Sequence, residues 1–390
     1  MPFIGRKLGF FAKNIILFFC ALAAVASLAT SGAAFAQATI SGNIGVSWQQ
    51  NAAIKSTDGS HIQGLSVNDG EIYISATEDL GGGMSATARG GFTMRGRGTS
   101  IMDRDATVSL KGGFGVVTAG ALRSCGSLVS VQSGAVTGTA YSGNESERAI
   151  PLDTCSIVDV LMYTLPVGPV MLSATYGEFA GGVTYYNATS APIVPASLDS
   201  KGNVGGVTFT DLTGVYAAGP VMVSLGITTF GVVYNEAVKR QALLNAGLKN
   251  DVLVIGDGLM RTRLVGTYDA GLAKIGLGYQ TKTMGLADQY VVSVAVPYGN
   301  ALFGLDYTAR GAQGVIDKGA LGATAANALF GVKNGDAASS SIGVGATYNF
   351  SKTTNLNASY ITYTDAGRNT LTPTAATLDT EYRVRLLKSF

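Results

Sequence analysis

The sequence predicts an all-β fold, a 16-stranded antiparallel transmembrane β-barrel. Three features carry that prediction. Apolar residues recur at every second position in segment after segment, the period of a strand with two different faces. Charged residues make up only 13% of the chain, about half the usual share of a soluble protein, yet after residue 36 no apolar run reaches the length of a membrane helix. Short turns rich in Gly, Pro, Asn and Asp alternate with long polar loops, which gives a barrel one plain rim and one elaborated rim. The last segment shows the pattern in miniature: Tyr382, Val384, Leu386 and Phe390 share one face, and Glu381, Arg383, Arg385 and Ser389 share the other.

The first element is a leader. Arg6, Lys7 and Lys13 precede or flank a short apolar run from Ile15 to Val25, and Ala34-Phe35-Ala36 forms an A-x-A cleavage site. Residues 1–36 therefore read as an export signal and 37–390 as one barrel domain. Three of the 27 Lys+Arg lie in the leader, so the remainder nearly balances the 25 Asp+Glu. That balance argues against a nucleic-acid surface.

The first strand after the leader alternates Ile40, Gly42, Ile44, Val46 and Trp48 with Ser41, Asn43, Gly45, Ser47 and Gln49. Ala106-Val108-Leu110, Val170-Leu172-Ala174-Tyr176 and Leu264-Gly266-Tyr268 repeat the alternation, whereas Tyr290 to Val296 is apolar on both faces. Seven tight turns fall at Asp79–Gly83, Lys111–Gly115, Pro166–Pro169, Ala217–Pro220, Asp269–Gly271, Pro297–Asn300 and Asn349–Lys352. Eight long loops are expected at 50–70, 96–103, 124–157, 178–206, 231–259, 282–288, 311–339 and 364–378. Seven turns and eight loops require 16 strands, an even number that lets the chain ends pair and close the sheet. Trp48, Tyr176, Tyr268, Tyr307 and Phe390, at strand ends, fit interfacial aromatic girdles or plain strand propensity.

Several stretches resemble the general diffusion porins of Gram-negative bacteria, especially those of beta-proteobacterial type. Ala38–Val46 is similar to their opening strand, Ala76–Ala86 to their second strand, first turn and third strand, and Ser109–Gly120 to their fourth and fifth strands. Phe390 matches their terminal aromatic. The chain departs from them at Ala121, where the family commonly has arginine, and at Lys388, an outward position usually apolar. Lys388 is expected to snorkel at the rim.

The resemblance implies an outer-membrane channel for passive diffusion of small hydrophilic solutes and ions, without cofactor or chemical step. It also implies a homotrimer in outer-membrane lipid and lipopolysaccharide, with Phe390 read by the barrel-assembly machinery. Loop 124–157 takes the place of the loop that such proteins fold inward as a constriction.

Cys125 and Cys155 flank that loop, and once Cys20 leaves with the leader they form an even pair in an exported protein. A disulfide between them would remove roughly 3–4 kcal/mol of loop-closure freedom. It would shape the pore or merely stabilise an exposed loop; both readings stay open, as do two free thiols. Arg89, Arg123, Arg261, Arg263, Arg383 and Arg385 are expected at inward parity, with Glu145, Glu147 and Asp153 on the loop facing them. The arginines either form a basic arc that weakly favours anions or simply solvate a wet lumen. With an arc, Arg385→Ala lowers anion preference.

Enzymatic chemistry lacks the residues. His61 is the sole histidine, in the loop after the first strand and without a motif around it, so neither a Ser/His/Asp triad nor a His/Cys metal site is supported. A substrate-specific channel remains an alternative, with Tyr73 and Tyr163 as inward candidates too few for an aromatic slide. A surface barrel acting as adhesin or structural protein is another, and conductance distinguishes it.

Overall fold

The computed structural model describes residues 37–55, 61–94, 102–124, 127–138, 156–179, 206–233, 260–283, 287–312, 338–364 and 380–390, and every structural statement below concerns these. The chain runs through β1 (Gln37–Lys55), β2 (His61–Gly81), β3 (Met84–Thr93), β4 (Met102–Gly112) and β5 (Gly115–Ser124). A single 3-10 turn, Ser127–Val131, follows. The wall resumes with β6 (Ser156–Val167), β7 (Val170–Phe179), β8 (Gly206–Ala218), β9 (Val221–Val233) and β10 (Met260–Asp269). It ends with β11 (Lys274–Lys282), β12 (Gln289–Tyr298), β13 (Ala301–Arg310), β14 (Ser339–Ser351), β15 (Thr354–Thr364) and β16 (Thr380–Ser389).

Each strand pairs antiparallel with its sequence neighbours, and β1 pairs with β16, so the sheet is a closed 16-stranded barrel. The seam runs from Asn43 opposite Ser389 to Gln50 opposite Tyr382, and the last residue extends it. Phe390 N–H donates to Gly42 O and Gly42 N–H to Phe390 O, both at 3.0 Å. A closed sheet has no edge, so every wall residue finds a backbone partner without water, the condition for crossing lipid.

The seven expected turns all fall between strands. Asp79 and Asp269 each accept a backbone N–H two residues on, at 2.9 Å, from Gly81 and Gly271. Those bonds are why aspartate opens these reversals. Gly219 and Gly299, at φ 55° and 56°, supply the left-handed residue their two-residue turns require.

The first loop differs from expectation. Instead of a loop over 50–70, β1 and β2 continue as a hairpin until Lys55 pairs with His61, so His61 begins a strand. Breaks in register between Gly45 and Ser47 and between Gln50 and Lys55 let this polar ribbon leave the wall's alternation, which hid it from a period-two reading.

The outer face is apolar and exposed, as at Ile40, Val46, Trp48, Leu264, Val384 and Leu386; Tyr176, Tyr268, Tyr307 and Phe390 also lie on it. Polar side chains are instead buried inside: Ser341, Thr308 and Asn357 each have none of their surface exposed. This inversion is what a barrel between lipid and a wet lumen requires. Tyr163, expected inward, points outward, because it pairs with Ala174 on the exposed face of β7. Lys388 is exposed on the outer face and donates to Thr353 Oγ1 at 2.7 Å, at the β14–β15 turn.

Candidate functional site: an inner segment seated on the lumen wall

Residues 127–138 follow β5 but pack far from it. The 3-10 turn at Ser127–Val131 lies against β10, β11 and β12, and the segment then crosses the inner wall as far as β16. Its start is held by apolar contact. Leu128 and Val131 are buried with Val265 of β10 and Val291 of β12, and Val129 and Met222 pack beside them. This explains why Tyr290 to Val296 is apolar on both faces: Val291 packs against the segment, and Ala295 farther along the strand is buried rather than in water.

From there the segment is passed along β12, β13, β15 and β16. Ser293 Oγ on β12 donates to Val131 O. Ser133 N–H donates to Asp306 Oδ1 on β13 at 2.8 Å. Asn357 of β15 donates from Nδ2 to Ala135 O at 2.8 Å and accepts from Thr137 Oγ1 at 2.5 Å. Ser359 Oγ donates to Thr137 O at 2.5 Å, and Arg383 Nη1 of β16 donates to Gly138 O at 3.1 Å. Inward glycines make the seat. A Cβ on Gly278 would lie 2.8 Å from Leu128 Cδ2, and Gly276, Gly304, Gly343 and Gly345 likewise leave no room for one beneath the segment. The expected inward-folded loop is therefore present over 127–138.

Across the lumen, β1–β5 present an open polar wall. Hydroxyl pairs run along it: Thr39 with Ser75 at 2.7 Å, Thr77 with Thr87 at 3.0 Å and Ser109 with Thr118 at 2.9 Å. Arg89 stands on this wall, its guanidinium carbon 4.1 Å from the centre of the Tyr73 ring and its Nη1 3.9 Å from Asp105. Its side chain is 44% exposed, so its charge reaches the water path. Tyr73 faces inward as expected and donates to Glu71 at 3.0 Å.

The other expected arginines divide. Arg261 and Arg263 do face inward on β10. Arg261 donates to Thr228 Oγ1 at 3.1 Å, and Arg263 to Gln280 Oε1 at 2.7 Å. Gln280 continues to Gln289 at 2.8 Å, whose register partner is Arg310, and Lys282 is the partner of Arg261. Lys282 and Arg310 end β11 and β13; the first lay inside the expected loop 282–288 and the second bordered the expected loop 311–339, so neither was read as inward.

Arg123 is not inward. β5 pairs unbroken with β4 and β6, and its inner positions are Thr118, Gly120 and Leu122. Arg123 thus shares the parity of Ala119 and Ala121, whose partners Val108 and Ala106 are exposed on the outer face. Taking Ala121 as an inner position caused the error.

Arg383 and Arg385 face inward but do not form an open arc. The Arg383 side chain is fully buried, and Asp69 of β2 meets it at 2.5 Å and Arg385 at 3.2 Å. Asp69 was missed because it lay in the expected loop 50–70. Asp306 and Asn357 carry the readable signal of a polar residue at inward parity, but no sequence pattern says that a distant segment lands on them. Cys125, Cys155, Glu145, Glu147 and Asp153 lie outside the described residues. No group of three or more His, Cys, Asp or Glu among the described residues is placed to hold a metal ion.

A closed barrel, apolar outside and polar inside, with a segment folded against its inner wall, defines a water-filled transmembrane channel. The chain matches the family described as Gram-negative porin over residues 21–368, and it belongs to that family. It is an outer-membrane diffusion channel for small hydrophilic solutes and ions. Among solved structures it is similar to an anion-selective porin from Comamonas acidovorans, at 18% identity and a TM-score of 0.54, covering 91% of this chain and 100% of that one. It is also similar to a triple mutant of the porin of Rhodopseudomonas blastica, at 12% identity and a TM-score of 0.53 with the same coverage. No curated protein sequence matches the chain.

Proposed function

We propose that this porin passes small solutes passively with a weak preference for anions, and that residues 127–138 set its narrowest width. The observation that carries the reading is the asymmetry of the lumen. The segment occupies the wall from β10 to β16, and the exposed cation Arg89 stands on the opposite wall. Arg261, Arg263, Lys282 and Arg310 add positive charge on β10, β11 and β13. The likeness to an anion-selective porin points the same way. With Tyr163 outside, the aromatic slide of a sugar-specific channel loses one of its two candidates.

The rest of the reading follows from resemblance and local geometry. Residues 1–36 serve as the export signal and 37–390 as the barrel, with Phe390 as its assembly signal in an outer membrane bearing lipopolysaccharide. Ser124 and Ser156 are register partners, and the cysteines adjoin them in the chain, which supports a Cys125–Cys155 disulfide closing the base of the loop. Glu145, Glu147 and Asp153 lie on that loop as counter-charges. The outer face of β2–β5 carries Ala76, Ala88, Gly90, Ala106, Ala119 and Ala121 on successive partners, a flat face that suits a second barrel in a homotrimer.

Single-channel recording of the refolded protein in a planar bilayer under a salt gradient tests this. Ohmic steps with a reversal potential on the anion side are expected, and a reversal potential on the cation side refutes the preference.

A further inference from the structure

Asp69 has no part in the reading above, yet it links two strands, β2 and β16, that are not paired with each other. It stands on β2, and its carboxylate reaches past β1 to two arginines of β16. Oδ2 accepts from Arg383 Nη2 at 2.5 Å, and Oδ1 from Arg385 Nη1 at 3.2 Å. Crossing a whole strand requires an empty position on it. Gly45 of β1 is that position, the register partner of both Asp69 and Leu387. A Cβ at Gly45 would lie 2.7 Å from Asp69 Oδ2 and 2.9 Å from Asp69 Cβ.

Arg383 extends the link, since its Nη1 donates to Gly138 O at the far end of the inner segment at 3.1 Å. β2 and β16 flank β1 only in the closed barrel, so closure of the seam and placement of the segment's end are one geometric event.

We propose that Asp69 is a specificity-determining and positioning residue of the channel. Its carboxylate cancels part of the field that Arg383 and Arg385 cast into the lumen, and it orients Arg383 to hold Gly138. A charge-assisted bond between planar guanidinium and carboxylate fixes direction as well as distance, which a lone buried arginine does not. This inference rests on the channel reading.

The test is made on the full refolded protein in planar bilayers under a potassium chloride gradient, reading reversal potential and open-channel noise together. Asp69→Asn is expected to raise the chloride-to-potassium permeability ratio roughly twofold, the effect of one elementary charge at about 8 Å in water with 0.1 M salt. It is also expected to raise the noise, because Arg383 loses its orientation. Gly45→Ala keeps every charge but drives the Asp69 carboxylate aside, so it is expected to raise the noise with a smaller change of ratio.

A conducting Asp69→Asn channel with the wild-type ratio overturns the proposal, since a purely structural carboxylate would alter heat stability alone. Should Asp69→Asn fail to refold, Gly45→Ala decides, and wild-type noise in it overturns the proposal. A folded wild-type barrel that does not conduct refutes the channel reading instead.

Discussion

Replacing Asn357 by leucine should loosen the constriction while sparing the barrel. Asn357 is fully buried, and its amide joins the inner segment at two points, Ala135 O at 2.8 Å and Thr137 Oγ1 at 2.5 Å. Leucine keeps nearly the same volume but makes neither bond, and it also loses the amide's wall contacts to Thr347 Oγ1 at 2.8 Å and Ala346 O at 3.3 Å on β14, whose backbone pairing with β15 is untouched. Each lost bond is worth about 0.5–1.5 kcal/mol net, and a buried group left without a partner adds about 1–3 kcal/mol. Thr137 Oγ1 retains Ser359 Oγ at 3.3 Å, so the full penalty falls mainly on the Ala135 carbonyl. Docking of the segment should weaken by about 2–6 kcal/mol, lowering the docked-to-undocked ratio roughly 30- to 25,000-fold.

Recordings of Asn357→Leu should therefore show excess open-channel noise and a larger or variable conductance, with strand content unchanged by circular dichroism. Asn355→Leu is the control, inward on the same strand but bonded to none of these atoms. A quiet Asn357→Leu channel of wild-type conductance would refute the idea that these bonds hold the constriction.

Other substitutions separate the arginines by position. Arg89→Ala should shift the reversal potential toward cations by about a twofold change in permeability ratio, whereas Arg123→Ala, at outer-face parity, should leave it unmoved. Arg385→Ala should lower anion preference less than Arg89→Ala, because Arg385 is 11% exposed and 3.2 Å from Asp69 whereas Arg89 is 44% exposed and 3.9 Å from Asp105; equal shifts would show that burial and pairing do not matter. Ala106→Trp should convert heat-labile oligomers to monomers on unheated gels, and an intact trimer would move the subunit contact to another face. Alkylation without reductant should leave Cys125 and Cys155 unmodified, and labelling of both would exclude the disulfide.

The fold was legible because its signals are local. Strand alternation repeats every two residues, and turn chemistry at Asp79, Asp269, Gly219 and Gly299 is satisfied within a few positions. The β1–β2 ribbon was lost where that signal stops, past the register breaks between Gly45 and Ser47 and between Gln50 and Lys55. Arg123 lies on the other face from its expected one because a strand's period of two makes a shift of one residue reverse the direction of its side chains.

By itself, then, the sequence determined the two-faced strands, the seven turns and the closed count of 16, since each depends on neighbours along the chain. Tertiary structure alone decided which inner residues meet. Asp306 with Ser133, Asn357 with Ala135 and Asp69 with Arg383 are separated by 173, 222 and 314 positions. Only the closing of the sheet and the seating of a short segment on its glycines bring such distant groups within hydrogen-bond reach.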